Sequence, residues 1–190
     1  MTVSFRCPHC GMALTGLDRT LACASGHMFD RAREGYVNLM VGGRLAGGPS
    51  GDDDTMVRAR RAVFDAGCYD PIIDAVAAAV RAAEARTVLD AGCGEGTYLA
   101  RACAGGAQGW GIDISKVAVR LAAKRYSSCS FAVASSYRLP FDDASFDAMV
   151  ARQSALSVST PSSPRSVSWR MLARVCCRSV EADCCSCCTS

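Results

Sequence analysis

Between residues 52 and 150 the apolar positions switch repeatedly between a helical period and short extended runs. Asp52, Asp53, Asp54 and Thr55 suit a helix start, where carboxylates meet unpaired backbone N–H groups. Met56, Val57, Ala59, Val63 and Phe64 then make an approximate helical stripe, which Gly67 ends. Pro71 opens an alanine-rich helix reaching about Arg86, with Ile72, Ile73, Val76 and Val80 on one face. Thr87–Ala91 reads as a strand, followed by a glycine-rich turn and a helix from Thr97 to about Ala104. Gln108–Asp113 is a second strand, and Ser115 caps a helix over Lys116–Tyr126. Ser130–Ala134 and Phe146–Val150 are a third and a fourth strand. Strands alternating with helices in this order predict an α/β fold with a parallel sheet and right-handed crossovers.

The flanks follow other rules. Residues 1–40 are loop-rich with few core-forming positions, and residues 41–51, VGGRLAGGPSG, form a flexible Gly-rich linker. Residues 151–190 hold no glycine, ten serines and six cysteines, with no steady period beyond about Arg170 to Arg178. The chain therefore divides into a small unit at 1–40, the linker at 41–51, an α/β unit at 52–150 and a Ser/Cys-rich tail at 151–190. Of the 190 residues 50% are apolar and 21% charged, which supports a buried core and argues against wholesale disorder. The net charge of +3 neither demands nor opposes a nucleic-acid partner. No apolar run approaches the roughly 18 residues of a membrane span, and MTVSFRCPHC lacks a signal-peptide core. A cytoplasmic protein with no membrane partner is the expectation.

The chemistry concentrates first at Asp90-Ala-Gly-Cys-Gly-Glu-Gly96, which links the end of a strand to a helix. Gly92, Gly94 and Gly96 let the backbone turn tightly and approach a ligand without Cβ clashes. Such a loop lies at the carboxyl end of its strand, beside a helix N-terminus. The spacing is G-x-G-x-G rather than the G-x-G-x-x-G of a dinucleotide phosphate loop, and it resembles the first motif of class I S-adenosylmethionine (SAM)-dependent methyltransferases. Asp113 ends the second strand 17 residues after Gly96, where a carboxylate can accept both hydroxyl hydrogens of a ribose. Ala134–Phe141 follows the third strand and is expected to frame the adenine; Asp142–Asp147 leads into the fourth. Two readings compete: a generic α/β domain whose glycines only make turns, and an NAD-type domain. The second needs its third glycine one residue later and leaves Leu139-Pro-Phe141 unexplained.

A second cluster, Cys7-Pro-His-Cys10 and Cys23-Ala-Ser-Gly-His27, has the spacing C-x2-C-x12-C-x3-H. Tight pairs separated by a hairpin-length loop can close a tetrahedron around zinc. Residues 1–40 are too few to be held by their own core, so metal binding would supply much of their folding energy. Four protein ligands leave no open position, which makes the zinc structural. His9 is the rival of His27 for the fourth position, and a redox CxxC lacks its strand–helix context here. Phe29, Tyr36, Val37 and Leu39 can pack on the knuckles, and Arg31 and Arg33 can face phosphates or simply be solvated.

In order, the ribbon is followed by His27-Met-Phe-Asp-Arg-Ala-Arg-Glu-Gly-Tyr-Val-Asn-Leu39, Met56-Val-Arg-Ala-Arg-Arg-Ala-Val-Phe64, Gly67-Cys-Tyr69, the Asp90–Gly96 loop, Gly111-Ile-Asp-Ile-Ser-Lys116 and Ala122-Ala-Lys-Arg-Tyr126. Over about residues 5–150 this resembles the bacterial 23S ribosomal RNA (guanine-N1)-methyltransferases. The resemblance implies a Rossmann-like class I methyltransferase sheet preceded by a small zinc ribbon. It implies zinc at Cys7, Cys10, Cys23 and His27, and SAM held by Tyr69, Asp90, Gly92, Cys93, Gly94, Glu95, Gly96 and Asp113. It also implies methyl transfer to N1 of an unstacked guanine in a 23S rRNA hairpin. No residue stands out as general base. The alternatives are a non-catalytic zinc- and SAM-binding remnant and a small-molecule methyltransferase, since a SAM fold does not fix its substrate. The ribbon and its basic neighbours favour RNA.

After Val150 the resemblance lapses. The expected helix, P-G-G turn and three further strands do not follow, so only the N-terminal half of the sheet is anticipated. A change of reading frame near residue 151 would produce such a tail. A second zinc site from Cys176, Cys177, Cys184, Cys185, Cys187 and Cys188 is the rival reading, and adjacent cysteines are poorly spaced for it. The fourth strand would then be an exposed apolar edge, with marginal stability and weakened SAM binding as consequences.

Overall fold

A computed structural model describes residues 3–16, 19–41 and 61–151. The helix start at 52–55, the linker beyond Val41 and the tail at 152–190, with the frame-change and second-zinc readings attached to it, lie outside the described residues.

The N-terminal unit is a hairpin in which β1 (Thr20–Ala22) pairs antiparallel with β2 (Met28–Asp30). Then come β3 (Val37–Asn38), a helical stretch at residues 61–65, α1 (Asp70–Ala82), β4 (Thr87–Ala91) and α2 (Thr97–Ala102). A 3-10 turn (Cys103–Gly105), β5 (Gln108–Asp113), α3 (Lys116–Arg125), β6 (Ser130–Val133) and β7 (Ala148–Ala151) complete it. Five parallel strands form one sheet in the order β3-β6-β5-β4-β7. The α/β fold expected from the alternating pattern is therefore present, with one addition: β3 comes from the N-terminal unit and pairs with β6, Val37 opposite Ala132.

The pleat sends alternate side chains to opposite faces, and each face has its own cover. Leu89, Ala91, Trp110, Ile112, Ala132 and Ala134 share a buried cluster with Phe5, Cys7, Leu14, Leu21 and Cys23 of the ribbon. Val88, Phe131, Val133, Ala148 and Val150 pack instead with Val80 of α1, Leu99 and Ala102 of α2, and Val119 and Ala122 of α3. The described residues thus stack as ribbon, sheet and helices. Phe5, Leu14 and Leu21 are each no more than 5% exposed, which stabilises the ribbon–sheet contact by roughly 1.5–3 kcal/mol per side chain.

Local differences from the expected bounds have physical causes. α1 ends at Ala82 rather than near Arg86, because Arg86 and Thr87 give their N–H groups to the Asp147 carboxylate, both at 2.9 Å. Glu84 takes a left-handed φ of 49° to make that exit. The same clasp starts β7 at Ala148, leaving Phe146 to pack edge-on against Trp110. β7 pairs only with β4 among the described residues. Among the described residues no helix is long and apolar enough to cross a membrane.

Candidate functional site

The hairpin folds the two knuckles onto each other. Backbone bonds from Gly11 N to Cys7 O and from Gly26 N to Cys23 O close the two turns, at 2.8 and 2.9 Å. The Sγ atoms of Cys7, Cys10 and Cys23 and a ring nitrogen of His27 consequently lie within 4.8 Å of one another. Cys10 and Cys23 Sγ are 3.6 Å apart, and His27 Nδ1 is 3.6 Å from Cys7 Sγ and 3.4 Å from Cys23 Sγ. A tetrahedron with Zn–S of about 2.3 Å and Zn–N of about 2.05 Å requires roughly 3.8 Å between sulfurs and roughly 3.5 Å between sulfur and nitrogen. The donor set therefore fits zinc. The electrostatics prepare it for a cation: the Cys10 thiol is lowered to about 6, chiefly by the Met12 backbone N–H. Burial raises Cys7, while at Cys23 the hydrogen bonds from the His27 backbone and ring outweigh burial and lower the thiol. His9 is not among the four. Its ring stacks on His27, with centroids 4.8 Å apart, and then on Phe29, so it braces the liganding imidazole from outside.

The Asp90–Gly96 loop leaves the carboxyl end of β4, as expected. The Gly92 and Cys93 N–H groups both donate to Ile112 O, which ties the loop to β5. Gly92 has φ +85° and open space where a Cβ would be, the kind of surface a ligand can approach closely. Gly96 serves packing instead. A Cβ there would sit 3.1 Å from Ala122 Cβ and 3.1 Å from Phe131 Cζ, so the glycine lets the start of α2 close on α3 and β6. Asp113 holds the loop from the next strand. Its Oδ2 accepts from Gly94 N–H at 2.9 Å and its Oδ1 from Ser115 N–H at 2.8 Å. Each oxygen retains a second lone pair, so the carboxylate can accept ribose hydroxyls while still fixing the loop.

The other expected cofactor residues surround this loop. Asp90 is fully buried within β4. The Cys93 side chain is 1% exposed in the helix-side core, which leaves only its backbone near the ligand surface. Glu95 is buried and faces Arg61 at 3.7 Å, linking the loop to the helical residues 61–65. Tyr69 caps α1 and is 38% exposed; its ring lies 5.0 Å from Phe64, whose ring meets Tyr98 of α2 edge-on at 6.0 Å. That aromatic chain brings Tyr69 to the same end of the sheet as the glycine loop. The pairing of Arg61 with Glu95 carries no signal in the sequence, because 34 residues separate the partners.

The expected adenine-framing segment has a second contact. Arg6 N donates to Pro140 O at 2.8 Å, Arg6 pairs with Asp142, and Arg138 donates to Pro8 O at 3.3 Å. Phe5 lies 5.3 Å from Phe141, which meets Phe146 edge-on. The segment following β6 is thus the surface on which the ribbon docks.

Comparison with known proteins matches both parts. Residues 5–41 match the zinc-ribbon family described as RlmA, N-terminal, and residues 88–177 match the methyltransferase domain family, a match that continues past residue 150. The chain is 40% identical over 166 residues to the 23S rRNA (guanine(748)-N(1))-methyltransferase of Streptomyces fradiae, covering 84% of this chain and 56% of that protein. YxjB of Bacillus subtilis (strain 168) and a protein of Micromonospora griseorubida, both named provisionally as 23S rRNA (guanine-N(1)-)-methyltransferases, are 36% and 38% identical. Those matches cover 83% and 76% of this chain, and 57% and 56% of the relatives. The chain therefore spans a little over half the length of these relatives. It joins, in this order, an RlmA-type N-terminal zinc ribbon and a methyltransferase domain, and is similar to these rRNA methyltransferases over that length.

Proposed function

We propose that this chain carries the cofactor-binding half of a SAM-dependent methyltransferase acting on N1 of a guanine in a 23S rRNA hairpin, in the cytoplasm. The observation that carries the reading is the seating of a Cys3His ribbon on the sheet face beside the Asp113-braced glycine loop. Cys7, Cys10, Cys23 and His27 would hold zinc that supplies no chemistry beyond fixing the ribbon, since all four positions are filled by protein. Bound SAM supplies a sulfonium methyl group to a nucleophile. The open surface at Gly92 would admit the ligand close to the backbone, Asp113 would accept its ribose hydroxyls, and Tyr69 would add a further contact. Rate enhancement on this scaffold comes from holding guanine N1 in line with the methyl group, and the guanine must leave its stack to arrive there.

Incubating the zinc-bound full chain with labelled SAM and an unmodified 23S rRNA hairpin tests this directly. Label in guanine N1 is the expected result. Zinc and SAM binding without transfer would favour the remnant reading, in which the half of the relatives' length that this chain does not match is needed for chemistry.

A further inference from the structure

Away from the glycine loop, at the amino-terminal end of β5, two partly buried thiols converge. Cys103 begins the 3-10 turn after α2, and Cys129 immediately precedes β6. Between them stands Gly109, whose missing side chain makes the room: a Cβ there would lie 2.8 Å from Cys103 Sγ and 2.9 Å from Cys129 Sγ. Both sulfurs thus crowd the space that a single side chain at Gly109 would fill. Neither belongs to the zinc centre or the glycine loop.

We propose that Cys103 and Cys129 form a thiol modification site that a hydroperoxide oxidises to a reversible disulfide. The pair is asymmetric in the way such a site needs. The neighbouring Cys103 thiol lowers the Cys129 thiol to about 7, and the same proximity raises Cys103. Cys129 is thus the thiolate nucleophile and Cys103 the thiol that resolves. Cys129 sulfur attacks a peroxide oxygen: an S–O bond forms, the O–O bond breaks, and hydroxide leaves to become water on taking a proton. Cys103 sulfur then attacks the sulfenic sulfur: the S–S bond forms, the S–O bond breaks, and the hydroxyl leaves with the Cys103 proton as a second water (for hydrogen peroxide). Two electrons pass from the thiols to the peroxide. The product ties the end of α2 to the start of β6 across β5.

The sequence makes the test unambiguous, because trypsin releases these cysteines in three separate peptides: 87–101 with Cys93, 102–116 with Cys103 and 126–138 with Cys129. The zinc-bound full chain is treated with hydrogen peroxide, alkylated, digested without reductant and analysed by mass spectrometry. Peptides 102–116 and 126–138 are expected joined, lighter by two hydrogens, and separated again by dithiothreitol. Cys103→Ser should leave Cys129 as a sulfenic acid captured by dimedone, and Cys129→Ser should leave Cys103 a free thiol. Recovery of both peptides singly alkylated after the rest of the chain has oxidised overturns the proposal. So does a link from 102–116 to 87–101 or to any other cysteine. Should a serine variant fold poorly, shown by lost zinc, the unsubstituted chain decides alone.

Discussion

Asp113 braces the glycine loop and is the proposed ribose acceptor, and Asp113→Asn tests both against the fold. In the native chain each carboxylate oxygen accepts one backbone N–H, from Gly94 at 2.9 Å and from Ser115 at 2.8 Å. An asparagine has one acceptor oxygen, so one of these donors would face an NH2 group. Losing one hydrogen bond to a charged acceptor in a half-buried position costs about 1.5–3 kcal/mol. Gly94 lies at the centre of the loop proposed to receive the ligand, and the same oxygens are the proposed ribose acceptors. The loss therefore falls on SAM affinity, which should weaken by roughly 10- to 150-fold at about 1.4 kcal/mol per decade. Equilibrium dialysis with labelled SAM on the zinc-bound chain measures it, with circular dichroism confirming that the sheet persists. Weakening of less than about threefold with the fold intact would refute the assignment of Asp113 to the ribose.

Chelating the zinc should disturb the sheet as well as the ribbon, since apparent zinc affinities of about 10–16 kcal/mol match or exceed the whole stability of a domain; Trp110 emission, in a chain carrying Trp169→Phe, should shift to the red. Gly111→Ala would place a Cβ 2.7 Å from the Phe131 ring and 3.0 Å from Cys93 Sγ, so it should cost about 1–3 kcal/mol in urea unfolding and be partly rescued by Phe131→Leu. Asp147 lies below its ordinary pKa, first through the Arg86 N–H and then Thr87, so its contribution is present above the unfolded carboxyl value of about 3.9 and is lost as pH falls through the lower folded value. Because the group is exposed, Asp147→Asn should cost about 1 kcal/mol or less at pH 6, and the difference from the native chain should shrink at pH 3.

What the residues announce in advance is what local periodicity controls. Thr87–Ala91 and Gln108–Asp113 occupy the expected bounds because both are short apolar runs closed by turn signals. Ser115 caps α3 through Ala118 N–H as its residue type predicts. The end of α1 is different: an alanine-rich run contains no stop signal, and the stop is imposed from Asp147, 61 residues away from Arg86. The spacing C-x2-C-x12-C-x3-H already favours His27 over His9, which sits inside the first knuckle, and the fold gathers His27 with the three cysteines while His9 stacks on its ring. β3 is least legible of all, since two residues have no period and their strand identity exists only in pairing with β6.

That two-residue strand changes what the ribbon is. A metal knuckle on a flexible linker would act as an independent arm, free to find RNA while the sheet holds the cofactor. Here the chain leaves the knuckle through β3, and Leu39 N–H donates to Val133 O at the carboxyl end of β6. One residue further along, Ala134 N–H donates to Asp113 O. The backbone thus runs from the metal ligands to the proposed ribose acceptor in a few hydrogen-bonded steps, with Cys7 and Cys23 in the same buried cluster as Ile112 and Ala134. Zinc and SAM sites joined in this way stabilise each other by linkage, because each binds only the folded sheet. Zinc removal should therefore weaken SAM binding even though no ligand atom is shared, and SAM should slow zinc release. A ribbon that acted as a free arm would give neither effect.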